Sequence, residues 1–324
     1  ALLLSLLTLT MSPVFAEDQS DLILPARLQA HINFLADDLL RGRQPGEPGY
    51  DIAANYVASH FQQLGLSPAG DEGSYLQRIP LRRATLEPGS ARFVLERDGE
   101  RRSFRFVDEF FMGPSKAHMQ SAVEADMVFA GYGIHAPTLG YSDYDGLDVE
   151  GRIVVTIRGM PQDFPSEEGA HFSNSREIAR NAIERGAVGL VSIYTPRSQK
   201  RFAWERLESM VGMPSMGWLD HEGDVYAAFE QLQGAAVIHY AAADTLFEGA
   251  EHSLEEVLER DEKGEPTLRF PLRGSLHLAQ SSRHETISSA NVAAYLPGVD
   301  PMLNAEFVVY TAHLDHIGEL HGEA

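Results

Sequence analysis

Three pieces of one stretch decide the fold class: Arg152-Ile-Val-Val-Thr-Ile157, Asn174-Ser-Arg-Glu-Ile-Ala-Arg-Asn-Ala-Ile-Glu-Arg185 and Val188-Gly-Leu-Val-Ser-Ile-Tyr194. The first and third are short, apolar and rich in β-branched residues, the composition of buried strands. The second aligns Ile178, Ala182 and Ile183 at helical spacing. Asn174 with Glu177 makes a capping pair at its start, and Gly186 stops it. Strand, helix and strand in 43 residues make a compact α/β unit.

Outward from this unit, Ala125-Asp126-Met127-Val128-Phe129-Ala130 reads as a strand running into a turn at Gly131-Tyr132-Gly133-Ile134. Residues 75–110 read as short β pieces, Arg92 to Leu95 and Ser103 to Val107, around the Asp98-Gly99 turn signal. Two helices precede them. The first carries Leu28, Ile32, Leu35 and Leu39 after Pro25. The second runs from Tyr50 to Leu64, with Ile52, Tyr56, Val57, Phe61 and Leu64 on one face and Gly65 as its stop. Between them lies a turn-rich break, Arg41-Gly42-Arg43-Gln44-Pro45-Gly46. On the other side, residues 244–265 are acidic and helix-prone, and Thr267 to Leu278 alternates like an edge strand. Asn291 to Leu296 and Glu306 to Ala312 read as two further strands, the second apolar enough to be central.

The whole chain has 324 residues, more than one ordinary core holds, so about two domains are expected. Its 47 acidic residues against 26 basic ones give a net charge of -21. That sign repels phosphate backbones and anionic lipid, which argues against nucleic-acid and membrane-surface partners. Leu2 to Leu9 form an apolar run, followed by Val14-Phe15-Ala16 and then the first charges at Glu17 and Asp18. This is the pattern of a partial signal peptide over residues 1–16, clipped at its start and too short to span a bilayer. The expected location is secreted or periplasmic. With no cysteine in an exported chain, disulfides are excluded, and any zinc must sit on His and carboxylates.

The strongest chemical signal is Tyr310-Thr311-Ala312-His313-Leu314-Asp315-His316. A His just past the carboxyl end of a buried strand projects where open α/β sheets collect ligands. Asp315, two residues on, can orient that region and raise the basicity of the imidazole. By spacing alone, His313 fits a metal ligand and a hydrogen-bonded core histidine equally. His316 and His321 read as solvent-facing. His221-Glu222 and His284-Glu285 begin like the helical zinc-protease motif, but Val225 and Ser288 stand where the second His is needed. No nucleophile elbow is present. Gly131-Tyr132-Gly133-Ile134-His135-Ala136 mimics a dinucleotide fingerprint, but Pro137 and Gly140 follow where a helix must begin, so its glycines serve a tight turn.

Several segments together resemble the zinc exopeptidases of the peptidase M28 family, in the secreted bacterial aminopeptidase branch with an inserted protease-associated (PA) domain. They are Asp38 to Gly46, Leu64 to Gly70 with Ser74, Tyr75 and Gln77, and Phe129 to Ile134 followed by Tyr141 to Tyr144 and Val149 to Val155. Asn291 to Gly298 and Ala312 to Asp315 complete the set. The resemblance covers nearly all of the chain after residue 16, in order. It implies a mixed sheet with helices on both faces, incomplete at its C-terminus, plus a PA insert of α/β sandwich type. The implied domains are 17–120 for the first part of the catalytic domain, 121–275 for the insert and its return segment, and 276–324 for the start of the metal-site region. The resemblance also implies two zinc ions, with His313 as a ligand and Asp315 supporting it, and peptide or protein substrates cut by a metal-activated water. The other ligands and the general base are expected beyond residue 324, so these residues alone are expected to be inactive. The competing expectation is a receptor-like binding protein that keeps the fold and has lost the metals.

Overall fold

The computed structural model describes residues 24–226 and 228–319, so the expected signal segment at 1–16 and His321 lie outside the described residues. The chain forms two compact units, one from residues 24–67 with 296–319 and one from 68–295.

In the first unit, helix α1 (Pro25–Leu35) ends before Leu39 of its expected span, which falls in a 3-10 turn and is exposed, helix α2 (Pro48–Gln63) follows its expected span, and each has Pro in its first turn. Their contact is aromatic. Phe34 stacks on Tyr56 at 4.0 Å between ring centroids, and the Tyr56 hydroxyl lies 2.9 Å from His31 Nδ1. The buried face of α2 is Gly49, Tyr50, Ala53 and Ala54, whereas Ile52 and Leu64 of the expected apolar face are exposed. The cause is a close backbone approach. A Cβ on Gly49 would fall 1.9 Å from the Leu40 carbonyl oxygen, so the helix meets the preceding turn with its small residues. Residues 306–312, read from their apolar run as a central strand, form no ladder among the described residues, and Phe307 to Tyr310 are exposed. A strand is stabilised only by neighbours, and this segment has none there.

The second unit holds β1 (Leu76–Leu86), β2 (Arg92–Arg97), β3 (Glu100–Ser103), β4 (Phe110–Phe111), β5 (Gln120–Ala130) and β6 (Ile153–Ile157). After them come α3 (Ser166–Phe172), α4 (Ser175–Ile183), β7 (Gly189–Tyr194), α5 (Pro196–Arg201), β8 (Ser215–Trp218), β9 (Gly234–His239), α6 (Leu254–Lys263) and β10 (Arg269–Val292). Ten strands form one mixed sheet in the order β8-β1-β10-β5-β6-β7-β9-β4, with β2 on β10 and β3 on β2. The neighbours β5, β6, β7 and β9 run parallel. The strand, helix and strand of the opening stretch are thus β6, α4 and β7. Asn174 caps α4 by accepting from Arg176 N at 2.9 Å, and Gly186 is left-handed. The α/β class expected from the sequence is the class the chain adopts.

Register places helical segments on both faces of the parallel strands. Phe129, Val155 and Val191 share one face, where the Phe129 ring meets Phe247 at 5.3 Å. Val128, Val154, Thr156 and Ser192 share the other, covered by α4. All five residues of β6 are buried. No described helix is long and apolar enough to cross a membrane.

Strand β10 departs most from its expected form. It is one 24-residue strand that lies between β5 on one side and β2 and β1 on the other, where an edge strand ending near Leu278 was expected. Its middle is too polar to be read as a core strand. The inward hydroxyl of Ser282 accepts from Ser115 N at 3.0 Å, and His284 Nε2 pairs with Ser115 O at 2.7 Å, so neighbouring backbone satisfies these groups. The β2–β3 hairpin closes at Asp98-Gly99, both with positive φ, which is the type I′ geometry that suits the strand twist. Such a tight turn starts β3 at Glu100, ahead of the expected Ser103.

The turn after β5 is a lock. Gly131 and Gly133 have φ of 48° and 73°. The buried Asp143 carboxylate accepts from Tyr132 N and Ile134 N, both at 3.0 Å, from Tyr141 Oη at 2.6 Å and from Thr267 Oγ1 at 2.7 Å. Burial pushes the Asp143 carboxyl above its ordinary value, and the Tyr141 and Thr267 hydroxyls and the two backbone donors pull against it. Tyr132 Oη donates in turn to the buried Asp261 of α6 at 2.6 Å. The glycine pattern that mimics a nucleotide fingerprint therefore serves to tie three elements together.

Candidate functional site

In the first unit, the segment around His313 is held by the turn between α1 and α2. Residues Asp38–Arg43 form a short 3-10 stretch, started by Asp37, whose side chain accepts from Leu39 N at 2.9 Å. It breaks at Arg41, Gly42 and Arg43, with φ of 47°, 65° and 46°. Left-handed backbone costs a non-glycine residue about 1–2 kcal/mol, so Arg41 and Arg43 on either side of Gly42 persist there only where contacts hold them. The contacts are with residues 314–319. Arg43 O accepts from His316 N at 3.0 Å and Gly42 O from Gly318 N at 3.1 Å. Arg43 Nε donates to Leu314 O at 2.9 Å, and its Nη1 reaches back to Leu35 O. Gln44 Nε2 donates to Ile317 O at 3.3 Å, and Arg41 makes a two-pronged pair with Glu319 at 3.1 and 2.8 Å. That pair is exposed and adds little by itself. The backbone ladder and the Arg43 clamp carry the cradle.

This cradle sets the posture of His313. Its Nδ1 lies 2.8 Å from Asp315 O and 3.9 Å from the Asp315 carboxylate. Donation from Nδ1–H to that carbonyl leaves the Nε2 lone pair free, the tautomer a metal ligand needs. The His313 side chain is 79% exposed and open to a ligand. His316 uses only its backbone N–H in the cradle. Of the two other motif-like histidines, His284 is held by backbone on β10, and Asp220 caps the turn that contains His221. Among the described residues no group of three or more His, Asp or Glu converges to hold a metal ion. A structural or catalytic zinc needs three or four protein ligands, so the described residues do not complete a zinc site.

In the sequence, His313 and Asp315 stand out by residue type, whereas Arg41 to Gln44 read as a turn-rich break within a segment of the family resemblance, with no sign that they meet residues 314–319. Nothing local announces a partner 271 residues away. Gly42 was the available signal. A Cβ there would lie 2.5 Å from Gly318 O, on backbone that already has positive φ. Gly42→Ala is therefore expected to open the cradle. Hydrogen exchange of the His316 and Gly318 amides should speed up by about tenfold or more, which corresponds to about 1.4 kcal/mol. Unchanged protection of both amides would show that the turn does not hold the segment.

No family model matches the sequence, and no curated protein matches it. Among solved structures, the chain is similar to a zinc aminopeptidase from Bacillus subtilis, with 15% identity and a TM-score of 0.27 over 81% of this chain and 44% of that one. The chain thus spans less than half the length of that protein.

Proposed function

We propose that the chain is part of an exported zinc-dependent exopeptidase, an aminopeptidase of the peptidase M28 type that removes N-terminal residues from peptides, with residues 121–275 as an inserted PA domain. One observation carries the reading. Two of the segments that bear the resemblance, Asp38 to Gly46 and Ala312 to Asp315, meet in one cradle although Arg43 and Leu314 are 271 residues apart. A cradle that presents an imidazole with a free Nε2 is what a metal centre asks of its first ligand. Zinc there would lower the pKa of bound water and polarise the scissile carbonyl. This chain's contribution is to hold His313 in one tautomer and one position. On this reading the other ligands lie outside the described residues, and the insert acts as a lid or gating surface. The apolar run Leu2 to Leu9 supports export.

The test uses the protein expressed from its complete gene. Hydrolysis of a panel of amino-acid p-nitroanilides is expected, abolished by a zinc chelator and restored by added zinc. Chelator-insensitive hydrolysis would overturn the zinc mechanism. Saturable peptide binding with no hydrolysis and no bound zinc would overturn the enzyme reading in favour of a binding protein.

A further inference from the structure

The second unit contains a cavity of about 650 Å³ that the peptidase reading does not use. It opens at the carboxyl ends of the parallel strands β6 and β7, between α4 and α5, and Thr156, Arg158, Ser192, Tyr194, Arg197 and Arg201 are among its lining. Crevices outside the carboxyl ends of parallel strands are where open α/β sheets bind ligands, and this volume lies in the range of small-molecule sites, about 300–1,000 Å³.

Two features separate it from a void. The first is a pair of hydroxyls in otherwise apolar strands. Thr156 and Ser192 stand side by side in the β6–β7 register, with oxygens 3.2 Å apart, and the half-buried Ser192 hydroxyl, backed by the buried Thr156, keeps hydrogen-bonding capacity for a ligand. The second is charge. In a chain of net charge -21, the lining contains three arginines and no Asp or Glu. Arg197 is occupied by Asp261, with Nη2 at 3.3 Å from the carboxylate and 3.0 Å from the backbone oxygen. Arg158 and Arg201 form no ion pair among the described residues. The Arg158 guanidinium lies 5.6 Å from the centre of the Tyr194 ring, and the Tyr194 hydroxyl is fixed on Phe202 O. An acidic protein that keeps two uncompensated guanidinium groups over a hydroxyl floor has a local field opposite to that of the whole chain. Leu190, Ile178 and Phe202 complete the wall with apolar surface.

We propose that this cavity binds a small ligand by its oxyanion, a carboxylate or a phosphate, seated between Arg158 and Arg201, with the Ser192 hydroxyl, backed by Thr156, beneath it and an apolar body against Leu190 and Phe202. Guanidinium forks suit planar carboxylates and phosphates.

Calorimetry on the 324-residue chain tests this with three probes: N-acetyl-leucine, its neutral amide N-acetyl-leucinamide, and inorganic phosphate. Saturable binding of N-acetyl-leucine is expected, about tenfold or more weaker for the amide, and weakened about tenfold in Arg158→Gln and in Arg201→Gln. Both arginines are at the surface, so the variants should keep the wild-type thermal transition. Phosphate that binds with the same sensitivity to the two variants, while N-acetyl-leucine does not bind, would support the oxyanion site with phosphate as its source. Equal binding of acid and amide, unchanged affinity in both variants, or no saturable binding of acid or phosphate up to about 10 mM would overturn the proposal.

Discussion

Asp143→Ala is expected to destabilise the second unit by about 3–5 kcal/mol, a large share of the about 5–15 kcal/mol that holds an ordinary domain together. The carboxylate serves four donors at once. Its Oδ2 takes the backbone N–H groups of Tyr132 and Ile134, and its Oδ1 takes the hydroxyls of Tyr141 and Thr267. Removing it leaves buried donors without acceptors, each costing about 1–3 kcal/mol. The two hydroxyls, 3.1 Å apart, can recover part of this by pairing with each other. The two backbone groups cannot, because the left-handed glycines fix their directions. Asp143→Asn is the informative control. Its carbonyl can keep the two backbone donors while its amide donates to the hydroxyls, which can turn to accept, so about 1–2 kcal/mol is expected. Urea unfolding of the three proteins measures the order. A loss below about 1 kcal/mol in Asp143→Ala would show that the turn is held by something other than this carboxylate.

Local grammar made much of the second unit legible. The Asn174 cap, the Gly186 stop and the apolar runs on either side mark strand, helix and strand to within two residues at each end. The Asp98-Gly99 turn announced its hairpin because Asp-Gly suits the type I′ turn that closes one in two residues. Strand β10 escaped because beyond Leu278 its inward residues turn polar, and Ser282 and His284 there are satisfied by the backbone of Ser115, a partner that hydrophobic alternation cannot show. Residues 306–312 misled in the other direction. An apolar β-branched run says that a strand can form, but the ladder depends on neighbours, and none pairs with it among the described residues. At the candidate site, His313 and Asp315 stood out by residue type. The cradle did not, because Arg41 to Gln44 act through backbone carbonyls and side-chain donors, which carry no sequence signature of the segment they hold.

His313→Ala is expected to abolish peptidase activity of the protein expressed from its complete gene and to remove one zinc ion per molecule. On the proposed reading the imidazole is a metal ligand, and removing one of three or four ligands lowers affinity far more than altering a supporting residue does. Asp315→Asn supplies that comparison. The carbonyl that receives His313 Nδ1 belongs to the backbone and survives the substitution, so only the carboxylate 3.9 Å away is neutralised. The expected loss is about 10–100-fold in activity or metal affinity, with folding unchanged. His316→Ala is the negative control, because its contact with the cradle runs through the backbone N–H, which alanine keeps. Zinc content by atomic absorption, together with turnover of an amino-acid p-nitroanilide, separates the cases. Full zinc occupancy and normal turnover in His313→Ala would remove His313 from the metal site. Equal losses in His313→Ala and His316→Ala would mean that the segment as a whole, and not one imidazole, is what the activity depends on.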